Sequence, residues 1–134
     1  MRQGAYRNDV PVQPGLCGHI ELVVAESDTA VAFHTGDVSV LSTPRLVALC
    51  EEAAVTAVQG CLPEGETTVS MRIQMDHLAP TAVGGLVKAD ARLEKVEGRR
   101  LKFSVSVNDE RGLVAVGKVT RVVVERERFL DKSR

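Results

Sequence analysis

The sequence predicts an α+β domain in which a curved antiparallel sheet wraps one long helix. Three observations support this fold class. One convincing helical pattern interrupts a chain of valine-rich, strand-like stretches. Short turns separate the stretches that follow the helix, so these strands are expected to be antiparallel neighbours. At 134 residues, the chain has the size of one domain and can bury a core without disulfides or metals.

The segment before the helix should contribute two strands. Residues 1–17 mix glycine, proline and polar residues and are expected to be a loose lead-in to a single domain over residues 18–134. That domain should open with a strand from His19 to Val24. A turn and a partner strand from Thr29 to Phe33 should follow, and residues 35–42 are typical of a loop.

The helix is predicted to run from Thr43 to about Cys61. Thr43 is a suitable N-cap, and proline is favoured at the first helical position, which Pro44 would take. The segment Leu62–Gly65 ends the pattern. Apolar residues recur at spacings of three and four and predict a stripe that faces the core. The stripe comprises Leu46, Leu49, Cys50, Ala53, Ala57 and Cys61.

Four strands are predicted after the helix, which gives a six-stranded sheet. In the first of them, residues 69–77, apolar and polar residues alternate, as in a half-buried strand. The next strands are expected at residues 86–96, 101–107 and 113–125, joined by short turns. One helix covers only part of one face of such a sheet, so the remaining apolar area and the strand edges favour a homodimer or a higher homo-oligomer.

Composition excludes several classes of protein. Lys and Arg number 17 against 18 Asp and Glu, for a net charge of −1, which is not the electrostatic footprint of a nucleic-acid-binding protein. Aromatic residues make up only 3% of the chain, so a platform that stacks bases is not expected. No apolar run is long enough to span a membrane, and residues 1–14 lack the apolar region of a secretory signal.

The cysteines predict neither disulfides nor a metal site. Cys17, Cys50 and Cys61 are odd in number and form no CxxC motif, so a reducing cytoplasm is the expected location. Cys50 and Cys61 have the context of small apolar core residues. Phosphate-loop, dinucleotide-binding and zinc-protease motifs are missing from the sequence, and no metal or cofactor is expected.

Glu51 is the most conspicuous candidate for a functional residue. On a helical wheel its neighbours are apolar, whereas the other charged residues of the helix share one polar stripe. A carboxylate in such surroundings loses solvation, which costs stability unless a partner or a function compensates. An ordinary surface carboxylate, or one paired with an arginine, remains the alternative.

His77 and Thr43 are weaker candidates. His77 continues the apolar phase of Val69, Met71, Ile73 and Met75 and ends its strand where a pocket can open. Taken alone, however, this context favours a core histidine that is hydrogen-bonded to a carbonyl. Thr43 already has a structural role as a helix cap. It is eight residues from Glu51, or about 12 Å along the helix axis. The two side chains would therefore act on different parts of a substrate or meet across a dimer interface.

Arg121 is the fourth candidate. It lies in phase with Ala115, Val119 and Val123 on the last strand, so its guanidinium is expected to point inward. An arginine in that position requires an anion. The anion is either a substrate group or a carboxylate of the chain, such as Glu51 or Asp76.

These residues and their spacing resemble one known family, the hot-dog thioesterases, and within it the branch of the fluoroacetyl-CoA thioesterase. The most telling stretches run from Ser42 to Ala54, from His77 to Thr81 and from Val96 to Arg100. The resemblance covers roughly residues 18–128. It implies the hot-dog fold, in which one long helix is wrapped by a curved antiparallel sheet.

The resemblance also implies roles for the candidate residues. In that family a threonine, a glutamate and a histidine serve catalysis, and an arginine on the last strand lies beside the site. Thr43, Glu51 and His77 match the catalytic positions, and Arg121 matches the arginine that would contact substrate. The family's loop before the helix carries phenylalanines, whereas here no aromatic residue follows Phe33 in that loop. A general short-chain acyl-CoA is therefore the expected substrate class.

The sequence thus predicts an acyl-CoA thioesterase that releases a carboxylate and free CoA. Glu51 would attack the thioester or activate water, His77 would carry protons, and Thr43 would orient the acyl group or Glu51. Surface cations are expected to bind the CoA phosphates; the candidates are Arg99, Arg100 and Lys102. Two alternatives are a non-catalytic acyl-CoA-binding or regulatory module on the same fold and, less favoured, a hot-dog dehydratase or hydratase.

Overall fold

The chain forms a five-stranded antiparallel sheet that curls around one long helix, in a computed structural model that describes residues 11–134. This arrangement confirms the predicted α+β class. A short helix that the sequence did not predict follows the last strand and lies exposed. In chain order the elements are β1 (Cys17–Val23), α1 (Thr43–Ala57), β2 (Glu66–His77), β3 (Leu86–Glu97), β4 (Arg100–Asp109), β5 (Gly112–Glu125) and α2 (Arg126–Asp131).

The strands lie in the order β1-β3-β4-β5-β2. The meander from β3 to β5 is as predicted, but the expected pairing of β2 with β3 is wrong, because β2 pairs with β5 instead. Backbone hydrogen bonds between Val24 and the Gly84–Gly85 segment guide the chain to β1 before β3 begins. Helix α1 and the β2–β3 connection thus carry the chain across the sheet and leave β2 at one edge.

The predicted strand from Thr29 to Phe33 is also wrong, which reduces the sheet from six strands to five. Residues 26–28 form a turn of 3-10 helix, and the backbone of Phe33 donates to the carbonyl of Thr29. Only an isolated bridge joins Thr29 to Leu41. Local hydrogen bonds satisfy this segment, so it does not need a neighbouring strand.

Helix α1 begins as predicted but is capped by a different residue. The hydroxyl of Ser42 accepts a hydrogen bond from the backbone N–H of Arg45 at 3.2 Å, so Ser42 is the N-cap and Thr43 is the first helical residue. The helix ends at Ala57 rather than near Cys61, and Gly60 follows with a φ of 78°. A left-handed residue of this kind turns the chain out of the helix, and glycine adopts it without strain.

The predicted core stripe of the helix is confirmed. All six of its members are buried. The five that lie within the helix belong to one core with Phe103, Leu93 and Leu101, whereas Cys61 lies beyond the end of the helix. β1 crosses the helix so closely that a Cβ on Gly18 would lie 2.0 Å from the carbonyl oxygen of Ala53, so only glycine fits there. No helix of residues 11–134 is long and apolar enough to cross a membrane.

The predicted lead-in, residues 1–17, falls only partly within the structure, since residues 1–10 lie outside the described part of the chain. Gly15 and Leu16 exchange backbone hydrogen bonds with Leu93, both at 2.8 Å. These bonds continue the β1–β3 ladder toward the N-terminus.

Candidate active site

Thr43 and His77 meet at the N-terminal end of α1. The Thr43 hydroxyl and Nδ1 of His77 are hydrogen-bonded at 2.8 Å. Because Ser42 satisfies the helix cap, the Thr43 hydroxyl has no structural bond to make at the helix end. The structural alternative for Thr43, a helix cap, is therefore wrong.

The imidazole of His77 is poorly solvated. Burial lowers its pKa below the ordinary value of 6.5, and a weaker backbone interaction with Ala79 opposes the shift. Its Nε2 is buried and has no hydrogen-bonding partner among the residues that the structure describes. A buried ring nitrogen without a partner is costly, and the neutral ring that burial favours can accept a proton.

A cavity of about 350 Å³ opens beside this pair. It lies between the loop before α1 and the end of β2, and its wall includes Ala30, Val40 and Pro80. The loop is held in place by Asp28, whose carboxylate accepts from the backbone of Ala25 at 2.8 Å and from Arg45 Nε at 3.1 Å. The cavity wall is therefore fixed to the first turn of the helix.

Glu51 lies two turns further along α1 in a second polar cluster. Its Oε1 accepts a hydrogen bond from Nη1 of Arg121 at 2.6 Å. The Arg121 side chain is 9% exposed and that of Glu51 is 25% exposed, so the pair is largely shielded from water. An ion pair between Glu51 and Arg121 is one of the two roles that the sequence left open for the arginine.

Thr68 completes this cluster, although it is not among the site residues predicted from the sequence. Its hydroxyl accepts from Nε of Arg121 and its carbonyl oxygen accepts from Nη2, both at 3.0 Å. Alternation along β2 had placed Val69 and Met71 on the inner face. A bulge between Ser70 and Arg72 shifts the register, so Thr68 faces the same side as Arg121 while Met71 is 44% exposed. Nothing in the sequence pattern marks that bulge.

The Thr43–His77 pair and the Glu51–Arg121–Thr68 cluster are separate within one chain. Eight helical residues lie between Thr43 and Glu51, about 12 Å along the axis. Among the described residues, no hydrogen bond joins Glu51 to His77. The side chains predicted from the sequence therefore lie in two groups and do not form one continuous triad in a single chain.

The thiol next to Glu51 is not a nucleophile. Burial, together with the charge of Glu51, raises the pKa of Cys50 to about 12, so the thiol stays protonated. Cys50 and Cys61 are buried core residues, as predicted, whereas Cys17 is exposed. No group of three or more potential metal ligands occurs in residues 11–134.

A larger cavity of about 640 Å³ lies at the other end of the helix. Its lining includes Leu62, Val123 and Arg99, but none of the four predicted site residues. Arg99 already donates to the carbonyl of Val123 at 3.2 Å, and Lys102 pairs with Glu97 at 2.9 Å. The smaller cavity differs from it in being bordered by the imidazole of His77 and the hydroxyl of Thr43, whereas the larger one is lined by Glu64, Glu66 and Arg99.

Comparison with known proteins identifies the family. The family model described as fluoroacetyl-CoA-specific thioesterase matches residues 24–127. The fluoroacetyl-CoA thioesterase of Streptantibioticus cattleyicolor is 37% identical over 95 residues, which cover 71% of this chain and 68% of that protein.

Solved structures agree. A thioesterase superfamily member from Thermus thermophilus superposes with a TM-score of 0.86 at 29% identity and covers 92% of each chain. A variant of the fluoroacetyl-CoA thioesterase in complex with acetyl-CoA superposes with a TM-score of 0.86 at 29% identity, over 92% of this chain and 97% of that one.

A curled antiparallel sheet around one helix, in a chain with these structural neighbours, defines a thioesterase of the hot-dog fold. The chain belongs to the fluoroacetyl-CoA-specific thioesterase family and is an acyl-CoA thioester hydrolase. The family and fold implied by the sequence are thus confirmed.

Proposed function

We propose that the protein hydrolyses short-chain acyl-CoA thioesters, with Thr43, Glu51 and His77 as catalytic residues. The observation that carries this proposal is the Thr43–His77 hydrogen bond beside a cavity of about 350 Å³, with Nε2 of His77 buried and unpartnered. A cavity of this size accommodates a short acyl group. Membership of a thioesterase family favours hydrolysis over the non-catalytic binding module.

The reaction needs a nucleophile, a proton carrier and a site for the oxyanion. Glu51 attacks the carbonyl carbon directly or takes a proton from an attacking water. In the water route, His77, neutral at rest, receives the proton that Glu51 took from water and passes it to the sulfur of the departing CoA. In the direct route, CoA leaves as the thiolate, and water deprotonated by His77 then hydrolyses the acyl-glutamyl anhydride. In both routes thioester and water become carboxylate and thiol. The N-terminus of α1, next to Thr43, favours the developing negative charge on the carbonyl oxygen.

A homodimer brings the Thr43–His77 pair of one chain close to the Glu51–Arg121–Thr68 cluster of the other. Within residues 11–134, β2 is an edge strand of twelve residues that pairs only with β5, so its other edge offers backbone groups that no described strand pairs. The middle of β2 lies between Met71 and Arg72. Antiparallel pairing with a second copy about that point sets His77 opposite Glu66 of the partner subunit, which is two residues from Thr68.

Each active site is then shared between subunits. Glu51 and Arg121 come from one chain, and Thr43 and His77 come from the other. This arrangement bridges the separation of about 12 Å that a single helix imposes on Thr43 and Glu51. The exposed side chain of Met71 lies near the two-fold axis and becomes covered on pairing.

The remaining parts of the proposal concern location and domain structure. Three cysteines without a disulfide among them suit a reducing compartment, and we assign the protein to the cytoplasm. Residues 18–134 are assigned to one domain. Arg121 donates three hydrogen bonds to Thr68 and Glu51 of its own chain. We therefore assign it to the substrate site as the partner of Glu51.

A hydrolysis screen tests the substrate class. Purified protein is incubated with acyl-CoAs of increasing chain length, and the free thiol is measured. We expect kcat/KM for acetyl-CoA to exceed that for a long-chain acyl-CoA by at least about tenfold, because a long chain would extend beyond a cavity of about 350 Å³. Fluoroacetyl-CoA is included because its acyl group has the same chain length as that of acetyl-CoA. A protein that releases no thiol from any acyl-CoA would contradict the proposed function.

Complementation between inactive variants tests the shared site. Glu51→Gln and His77→Asn chains are co-expressed with different affinity tags, and mixed dimers are isolated through both tags. In such a dimer one site has both catalytic groups intact, so we expect about half of the wild-type activity. Homodimers of either variant are the controls and should be inactive. If both groups act within one chain, the mixed dimer is as inactive as its parents.

A further inference from the structure

Contacts with Thr68 orient the guanidinium of Arg121 toward Glu51. Three contacts fix the guanidinium of Arg121, and two of them go to Thr68: Nε to the hydroxyl and Nη2 to the carbonyl oxygen, both at 3.0 Å. Only Nη1 is directed to Glu51, at 2.6 Å from Oε1. With Arg121 buried to 8% exposure, its edge that carries Nε and Nη2 is turned away from Glu51.

The contact between Arg121 and Glu51 is therefore a single-point contact. Arginine and a carboxylate ordinarily form two parallel hydrogen bonds, because the fork of N–H groups matches the two oxygens. Here the Nε–Nη2 edge, one of the two edges that can form such a fork, binds Thr68, and Nη1 alone bonds Glu51. The carboxylate keeps one oxygen, Oε2, outside the bond to Arg121.

We propose that Thr68 is a positioning residue that holds Arg121 in this single-point contact and so leaves one oxygen of Glu51 free to react. A carboxylate engaged at both oxygens is a weaker nucleophile and base, because each oxygen then gives a lone pair to the cation. Thr68 thus lets Arg121 orient Glu51 without disabling it. This inference rests on the proposed catalytic role of Glu51.

The local sequence is suited to this function. The bulge at Met71 turns Thr68 to the inner face, where it lies across from Val123 on β5. A β-branched residue has few side-chain rotamers on a strand, so its hydroxyl is held in a defined direction. Neither Val69 nor Thr67, the adjacent residues, can replace it, because successive side chains of a strand point to opposite faces.

The substitution Thr68→Val tests the proposal. Valine keeps the shape and the backbone carbonyl but removes the acceptor for Nε, which frees Arg121 to turn toward Glu51. We expect kcat to fall by about tenfold, within the hundredfold that a misplacement of about 1 Å can cost, and KM to change little. Thr68→Ser keeps the hydroxyl and should retain near-wild-type kcat, and Thr67→Val on the opposite face is the matched control.

A second comparison separates positioning from packing. Lysine has no fork, so in an Arg121→Lys background the hydroxyl of Thr68 has nothing to orient, and adding Thr68→Val should lower kcat no further. A merely structural threonine would give the same loss in both backgrounds.

The outcomes are distinct from those of the proposed function. If Thr68→Val has wild-type kcat while Glu51→Gln is inactive, the positioning role is wrong and the catalytic role of Glu51 stands. If Glu51→Gln is fully active, the proposed function itself fails. Equal losses in Thr68→Ser and Thr68→Val, or a Thr68→Val chain that does not fold, would make the residue structural and overturn the inference.

Discussion

Replacing Glu51 by glutamine should reduce thioester hydrolysis by about 100-fold or more, the scale expected for the loss of an acid–base group or nucleophile. Glutamine has the volume of glutamate and can still accept a hydrogen bond from Nη1 of Arg121. It cannot attack a thioester or take a proton from water. The loss should therefore appear in kcat, measured by thiol release at saturating acyl-CoA, and binding of the CoA portion should persist.

Glu52→Gln is the matched control for that variant. Glu52 is the next residue on the helix, its side chain is 55% exposed and its nearest partner is Arg45 at 3.5 Å. Neutralising this exposed carboxylate should leave activity within about twofold and stability nearly unchanged. Equal activity losses in the two variants would indicate a general effect of charge on the helix and would contradict the assignment of Glu51.

The free energy of unfolding should also differ between Glu51→Gln and Glu52→Gln. Arg121 is buried, and Glu51 is its charged partner. Glu51→Gln leaves that guanidinium without a counter-charge, so we expect the free energy of unfolding to drop by about 1–3 kcal/mol. The free energy of unfolding is expected to fall because Glu51 is paired with Arg121. If Glu51 were an unpaired carboxylate among apolar residues, neutralising it would instead stabilise the protein. Urea denaturation of both variants measures the difference.

Much of the fold follows from the sequence because most elements carry strong periodic patterns. The stripe of α1 and the alternating apolar residues of β3 to β5 both survive in the structure. The prediction of a strand from Thr29 to Phe33 is wrong because a run of five mostly apolar residues fits a strand and a series of turns equally well. The predicted pairing of β2 with β3 is wrong because β2 lies beside β5, and that pairing depends on contacts between residues distant in sequence.

The sequence marks candidate residues for the site but does not show how they are grouped in the fold. An unusual carboxylate on an apolar face marked Glu51, and the family resemblance added roles for Thr43 and His77. The hydrogen bond between Thr43 and His77 depends on Ser42 taking the cap, a choice between adjacent hydroxyls that sequence rules do not decide. Thr68 depends on the bulge in β2, which local alternation cannot show.

Replacing His77 by asparagine should also inactivate the enzyme, by about 100-fold or more in kcat. The asparagine amide can still hydrogen-bond the Thr43 hydroxyl in place of Nδ1, but it provides no titratable nitrogen where Nε2 lies. Loss of activity in this variant would therefore report proton transfer rather than a lost structural bond. His19→Asn is the control, since His19 is exposed and pairs with Glu21 and Asp90.

The pH dependence of stability gives His77 a readout independent of activity. Because burial lowers the pKa of His77 in the folded state below its ordinary value of 6.5, the unfolded chain binds this proton more readily. The wild-type protein should therefore lose stability as the pH falls from about 7 through 6.5 toward the folded-state pKa. His77→Asn lacks this loss, so the melting temperature of wild type relative to the variant should decrease over the same window. The pKa of His19 is raised by Glu21 and Asp90 and acts in the opposite direction, but both proteins carry it and its effect cancels in the difference. A difference in melting temperature that stays constant from pH 7.5 to pH 5 would contradict a buried, neutral His77 and with it the proton-carrying role.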